Sequence, residues 1–206
     1  MTSDNGIPLE GPPTNPGEFF PWLKHTSEIY WETIPLKEEV YGFQIQAGTK
    51  WNPGLTENQI AQYEADMGFL FPEIFKLYLR VMNGTDTDMI NIYARCGEPF
   101  RYAPGFYAYP KDLAAVKAKI QWIYESCHVT PAQIEMEEIP HIFPIVSHRF
   151  LVIDRCPTNP VLSMYGNDII PYSSNLLIFL VDDIFQECAQ DTNLPKDLQV
   201  KFWLNF

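Results

Sequence analysis

The sequence lacks the features that mark a membrane or secreted protein. None of its 206 residues belongs to an apolar run approaching the roughly 20 residues needed to span a bilayer. Residues 1–18 are acidic and proline-rich, without the basic region and apolar segment of a secretory signal. We therefore expect a soluble, cytoplasmic protein with no membrane partner.

Cysteine is scarce and widely spaced, which disfavours a metal centre. The four cysteines lie about 30 residues apart with no CxxC pair, and the histidines are scattered too. Structural zinc sites need ligands in close pairs. We expect reduced thiols, no metal and no cofactor. The cysteines are Cys96, Cys127, Cys156 and Cys188.

Catalytic signatures are also missing: there is no GxSxG elbow, no phosphate-binding glycine loop and no dinucleotide fingerprint. His148, Arg149 and Asp154 are close in sequence, but their spacing is that of neighbours along a strand, where structural pairing is more common. Asp86 and Asp88 follow a glycine, where carboxylates more often bond the local backbone than a metal. We expect no catalytic residues and no enzyme activity.

Basic residues are few. Lys and Arg number 14 against 26 acidic residues, for a net charge of −12. Such a chain repels phosphate backbones, so nucleic-acid binding is disfavoured, whereas a basic protein would be attracted. The plainer alternative is that acidity only keeps the chain soluble.

Apolar and aromatic residues are plentiful, at 46% and 15% of the chain, which is ample for a packed core. Residues 1–18 read as a flexible tail. An aromatic lead-in starts at Phe19, and rings this dense should pack on the domain. We expect one domain over residues 19–206, including this N-terminal extension.

Two short helices with marked ends form the clearest local pattern. Thr56 and Gln59 form a capping box for a helix over 57–67, with Gly68 as its stop. Pro72 suits the first turn of a second helix that ends near Asn83 and Gly84, so positive φ is expected at Gly84. The inward positions of the second helix are predicted to be Ile74, Leu77, Tyr78 and Val81.

The rest of the chain reads as strands around one helix, followed by a closing helix. A strand is predicted over 89–94, a helix over 111–125, short strands within 141–166 and a helix over 173–187. The inward face of the closing helix should carry Leu176, Leu177, Leu180 and Ile184. We predict an α+β domain with a mostly antiparallel sheet packed against several helices.

The helical pair also carries a family resemblance. The segment GLTENQIAQYEADMGFLFPEIFKLYLRVMNG resembles the signature of the SUKH superfamily, which comprises Smi/Knr-type fungal cell-wall regulators and bacterial immunity proteins. The matching elements are Glu64, Gly68, Phe71-Pro72 and Asn83-Gly84, although Phe71 replaces a residue that is often smaller in the family. The later strands and closing helix are similar too, so the resemblance spans about residues 54–187.

The resemblance implies that Glu64, Gly68, Pro72, Asn83 and Gly84 are structural. It also implies a non-catalytic binding module, because bacterial members bind and neutralise toxins, often nucleases. We therefore expect a basic toxin domain as partner. Acidic candidates to contact it lie after the second helix and on the closing helix: Asp86, Asp88, Asp182, Asp183 and Glu187. A regulatory scaffold and an enzyme with a site assembled from distant residues remain alternatives.

Overall fold

A computed structural model of the protein describes residues 11–93, 100–185 and 198–204, which form an α+β domain. The elements are, in chain order, α1 (Pro16–Trp31), β1 (Trp51–Pro53), α2 (Glu57–Met67), α3 (Glu73–Val81), β2 (Met82–Thr85), β3 (Met89–Asn91), β4 (Arg101–Ala103), α4 (Leu113–Ser126), α5 (Pro131–Met136), β5 (Ile142–Val146), β6 (Arg149–Val152), β7 (Val161–Tyr165), β8 (Asp168–Ser173) and α6 (Leu176–Phe185).

Every strand pairing in the described part of the chain is antiparallel, which confirms the prediction of a mostly antiparallel sheet. β5, β6, β7 and β8 form a four-stranded meander, while β1 pairs with β2 and β3 pairs with β4 in two small sheets. All five residues of β5 are buried, because α4 packs against this strand and the aromatic rings of α3 cover it too. A strand covered on both faces reads as a continuous apolar run, as IFPIV does here.

The first helix of the pair is confirmed in both its bounds and its caps. Both hydrogen bonds of the Thr56–Gln59 capping box are present, and Gly68 takes the left-handed conformation with φ +82°. The second helix differs from the prediction, since Pro72 lies one position before it as the N-cap residue. Val81 ends that helix, and β2 follows directly.

The buried face of α3 was also predicted wrongly. Phe75, Tyr78 and Leu79 are buried there, whereas the other expected positions, Ile74, Leu77 and Val81, are only half-buried. Phe75 takes the central place because its ring meets those of three neighbours, with centroids 5.0 Å from Phe71, 5.6 Å from Tyr78 and 4.8 Å from Phe143. In α6, likewise, Phe179 is buried and Leu177 is half-buried.

The N-terminal extension packs as expected but starts its helix earlier. Asn15 caps α1 by accepting a hydrogen bond from Gly17 N–H, so residues 16–18 of the expected flexible tail are helical. Phe19, Phe20 and Trp31 are buried, as is Trp203 near the C-terminus. Within the described ranges, no helix has both the length and the apolarity to cross a bilayer.

Candidate functional site

Glu64 holds the elbow between α2 and α3. Its Oε1 accepts a hydrogen bond of 2.7 Å from the Phe71 N–H and lies 2.8 Å from the Lys76 ammonium. The carboxylate is buried, so these donors compensate its lost hydration. Together with the left-handed Gly68, Glu64 sets the angle between the helices, and its side chain is not free for a partner.

Asn83 and Gly84 join β2 to the loop before α4. Asn83 forms a two-way bridge with Tyr109, donating to its carbonyl and accepting from its N–H at 2.8 Å each. Gly84 has φ +67°, as predicted, but the predicted reason is wrong. It lies inside β2 and does not cap α3; a Cβ there would stand 2.6 Å from the backbone of Tyr107 and Ala108.

The five acidic candidates do not form one surface. Asp86 ties its loop to the residue before β1: its Oδ1 accepts hydrogen bonds from Lys50 N–H at 2.9 Å and from the Thr87 hydroxyl at 3.0 Å. Asp88 lies 3.9 Å from the Lys111 ammonium. Asp182 lines a groove with Pro12 and Pro13, whereas the next residue, Asp183, lines a different pocket. Glu187 lies outside the described residues.

The cluster of His148, Arg149 and Asp154 is split between two places. Asp154 pairs with His141: its Oδ2 lies 2.8 Å from the ring Nδ1, and its Oδ1 accepts the His141 N–H at 2.8 Å. His148 instead has Nδ1 3.1 Å from the Ser147 hydroxyl. No group of three potential metal ligands occurs within the described part of the chain. The absence of bound zinc stays a prediction.

A surface that the sequence did not reveal lies on β3, β4 and the segment alongside them. Gln44 exchanges backbone hydrogen bonds of 2.8 and 2.9 Å with Ile90, and the Gln46 amide donates to the Asp88 carbonyl at 2.7 Å. Residues 41–46 therefore run antiparallel to β3, and β4 pairs on its other side. We call this unit, residues 36–46, 86–93 and 100–103, the tyrosine ribbon.

The exposed end of the tyrosine ribbon carries stacked aromatic rings. Tyr41 and Tyr93 lie 4.5 Å apart between centroids, with 24° between their planes, and Tyr41 is 84% exposed. Tyr102 is 57% exposed on β4. The pKa of Tyr93 is raised by desolvation, then by the neighbouring Tyr41 and the carboxylates of Glu38 and Glu39. The carboxylates of Glu38 and Glu39 are thus close enough for their charges to act on the Tyr93 hydroxyl.

A pocket of about 160 Å³ lies under the same ribbon. One wall is Phe43, Gln44, Ile45 and Met89 from the ribbon; the facing walls come from the β5–β6 turn and α6. The apolar lining is Ile34, Phe43, Ile45, Met89, Phe106, Val146 and Ile184, and the polar lining is Gln44, Ser147, His148, Arg149 and Asp183. Asp183 is therefore the acidic group of a pocket whose walls are part apolar and part polar.

The charged groups around the pocket differ in whether they have hydrogen-bond or ion-pair partners. Arg149 lies over the ring of Tyr172, 3.7 Å from its centroid, and donates to the Ser163 hydroxyl at 2.6 Å. Burial lowers the pKa of His148, as do the charges of Arg149 and Lys119, so this imidazole is neutral at pH 7. Among the described residues, no basic nitrogen lies within 4 Å of the Asp183 carboxylate.

Burial raises the pKa of Asp183 to about 6, and this predicts a pH-dependent stability change in Asp183→Asn. Arg149 opposes the rise, while Asp182 adds to it. Below about pH 3 both states of the protein keep the proton; as pH rises toward 6 the unfolded state loses it first, so wild-type stability falls. The asparagine variant should therefore be more stable above pH 6 by up to about 3 kcal/mol, and equally stable below about pH 3.

Urea unfolding between pH 2.5 and 7.5 measures this difference. Asp168→Asn is the matched control, because it removes an exposed carboxylate on β8, away from the pocket. Equal unfolding free energies for wild type and Asp183→Asn across the whole range would show that Asp183 is well solvated.

No family model, curated protein or solved structure matches this chain significantly. The resemblance to the SUKH superfamily therefore stays a prediction. So do the partner contacts expected of Asp86, Asp88, Asp182, Asp183 and Glu187.

Proposed function

We propose that this chain is a non-catalytic protein-binding module, an immunity protein of the cytoplasm that neutralises a basic toxin domain of the nuclease type. The observation that carries the proposal is the exposed Tyr41–Tyr93 stack beside Glu38 and Glu39. The motif of Glu64, Gly68, Pro72, Asn83 and Gly84 supports the family resemblance from which the toxin class comes.

Exposed aromatic rings favour a protein partner. Tyrosine is enriched among the residues that dominate binding energy, because it supplies a large contact area at little entropic cost. Leaving such rings in water has no structural benefit, since Tyr41 is 84% exposed and its main ring contact is with another surface tyrosine. The stack is thus suited to become the buried centre of an interface.

Charge selects the kind of partner. The described ribbon carries four carboxylates, from Glu38, Glu39, Asp86 and Asp88, against the basic side chains of Lys37 and Arg101. The chain as a whole has a charge of −12. Both favour encounter with a basic surface, such as the substrate cleft of a nuclease.

We expect Tyr41→Ala to weaken binding of the toxin domain encoded beside this gene by at least about tenfold, mostly through a faster off-rate. Binding kinetics against a catalytically inactive form of that domain measure the effect. Tyr165→Ala is the matched control, since Tyr165 is 70% exposed on β7, where it packs against Trp122. Equal affinity of wild type and Tyr41→Ala would remove the ribbon from the interface.

The same binding kinetics test whether the negative charge of this protein speeds its association with a basic partner. Because the screening length falls from about 10 Å at 0.1 M salt to about 3 Å at 1 M, the on-rate should drop across this range while the off-rate changes little. An on-rate indifferent to salt, or an acidic partner, would contradict the charge argument and leave the aromatic one.

The pocket is the observation that favours the enzyme alternative, because His148, Arg149 and Asp183 line it together. Its volume of about 160 Å³ is small beside the roughly 300–1,000 Å³ of small-molecule sites. Turnover by the purified protein that disappears in His148→Ala or Asp154→Ala would replace the binding proposal with an enzyme. The regulatory-scaffold alternative has no comparable structural observation in its favour.

A further inference from the structure

We infer that the pocket under the tyrosine ribbon receives one basic side chain, a lysine or an arginine, of the bound partner, with the Asp183 carboxylate as its counter-charge. The inference rests on the proposed function, because the side chain belongs to the basic protein that covers the ribbon. It assigns to Asp183 an ion pair with one side chain of the partner, which the negative charge of the surface alone does not predict.

The size of the pocket fits one side chain. A volume of about 160 Å³ is close to the roughly 150 Å³ of a cavity that holds a benzene-sized group, and well below that of a cofactor or drug site. A flexible, unbranched stem with a terminal charge can fill such a space.

The chemistry of the walls fits a lysine or arginine in particular. Phe43, Ile45, Met89 and Phe106 offer apolar surface for the methylene stem, which basic side chains bury readily while their charged end finds a polar group. The end group available is Asp183. A neutral apolar side chain would leave this carboxylate without a partner in a low-dielectric site, at a cost in free energy.

The positive groups nearby form no ion pair with this carboxylate among the described residues. Arg149 lines the same pocket and its charge opposes the rise in the pKa of Asp183, but its guanidinium lies over Tyr172 and donates to Ser163. Lys119 donates to the Ser147 carbonyl and to the Tyr107 hydroxyl. Both are held by contacts of their own, so the carboxylate keeps room for an external cation.

The position of the pocket connects it to the ribbon. Phe43, Gln44 and Ile45 line it, and they follow the exposed Tyr41 directly along the same strand-like segment. Met89 lines it too, four residues before Tyr93. A protein seated on the stacked tyrosines therefore lies within reach of the pocket with one long side chain.

The first test uses side-chain analogues as probes. Methyl resonances of Ile45, Met89 and Ile184 are followed while n-butylammonium, n-butylguanidinium or n-butanol is added to the full-length protein. One of the two cations should bind saturably and at least about tenfold more tightly than n-butanol. Asp183→Asn should abolish that preference, and Asp168→Asn, at an exposed position on β8 that does not line the pocket, should keep it.

No saturable shift, or equal binding of n-butanol and both cations, would overturn the inference. The fold of each variant is checked by its spectrum before titration, so that a loss of binding is not a loss of structure.

The second test uses the partner and separates this inference from the proposed function. Asp183→Asn should weaken binding of the basic toxin domain about tenfold or more, while Asp168→Asn, which removes an exposed carboxylate on β8, should not. If the toxin binds wild type and Asp183→Asn equally, the pocket inference fails and the proposed function stands. If the cations bind through Asp183 but no toxin binds, the cation pocket stands and the proposed function fails.

Discussion

Replacing Gly84 with alanine is expected to destabilise the protein by more than about 3 kcal/mol. The new Cβ would stand 2.6 Å from Ala108 N and Tyr107 C, and 2.7 Å from Phe106 O, all of them backbone atoms. The loop that carries them is tied back by the two hydrogen bonds between Asn83 and Tyr109, so it has little room to move. The positive φ of 67° adds about 1–2 kcal/mol of strain for a residue with a Cβ.

Gly68→Ala is the matched control for this prediction. Gly68 has a similar φ of +82°, but no atom lies within 4 Å of the position of its Cβ. The Gly68→Ala variant should be destabilised by the backbone strain alone, by about 1 kcal/mol. Urea unfolding of both variants measures the difference. Similar losses at the two positions would mean that the loop at 106–108 moves away at little cost.

Asn83→Ala should lower the free energy of unfolding by about 2–4 kcal/mol. The substitution removes the partners of both the N–H and the carbonyl of Tyr109, each held at 2.8 Å in a buried site. Asn83→Asp should lose at least as much at pH 7, because it places a buried carboxylate oxygen against the Tyr109 carbonyl, although the other oxygen can still accept the Tyr109 N–H.

Asn52→Ala is the comparison for Asn83. The Asn52 amide makes one longer hydrogen bond of 3.2 Å, to the Asn83 carbonyl in a half-buried site, so its loss should cost about 1 kcal/mol or less. Thermal and urea unfolding of the three variants rank the effects. A loss below about 0.5 kcal/mol in Asn83→Ala would show that water replaces the amide.

The sequence predicted most accurately those helices whose ends carry clear capping residues. The helix over Glu57–Met67 is confirmed at both ends, because its caps involve residues only three or four positions apart. The same signal at Thr130 and Gln133 opens α5, a helix that our sequence reading left out. The face of α3 was predicted one position away from the buried one, because periodicity does not weigh Phe75 against its distant partner Phe143.

The sequence could not show the surroundings of the acidic candidates for a related reason. Net charge pointed to acidic side chains, but charge alone does not tell which carboxylates are already used. Asp86 accepts a hydrogen bond from the Lys50 N–H and Asp88 lies near a lysine, whereas Asp183 lines a pocket and forms no ion pair among the described residues. The aromatic content indicated a core; it gave no sign that Tyr41 stays outside it.

By itself, the sequence determined the features that arise within a few residues: helix starts and stops, the α+β class and a surplus of negative charge. Its glycine and asparagine at 83–84 also marked a special backbone position. Only the tertiary structure decided why that position is special, since Tyr109 lies 26 residues from Asn83. The stacked tyrosines and the surroundings of Asp183 likewise depend on segments far apart in the chain, because exposure and desolvation are set by whichever atoms folding brings close.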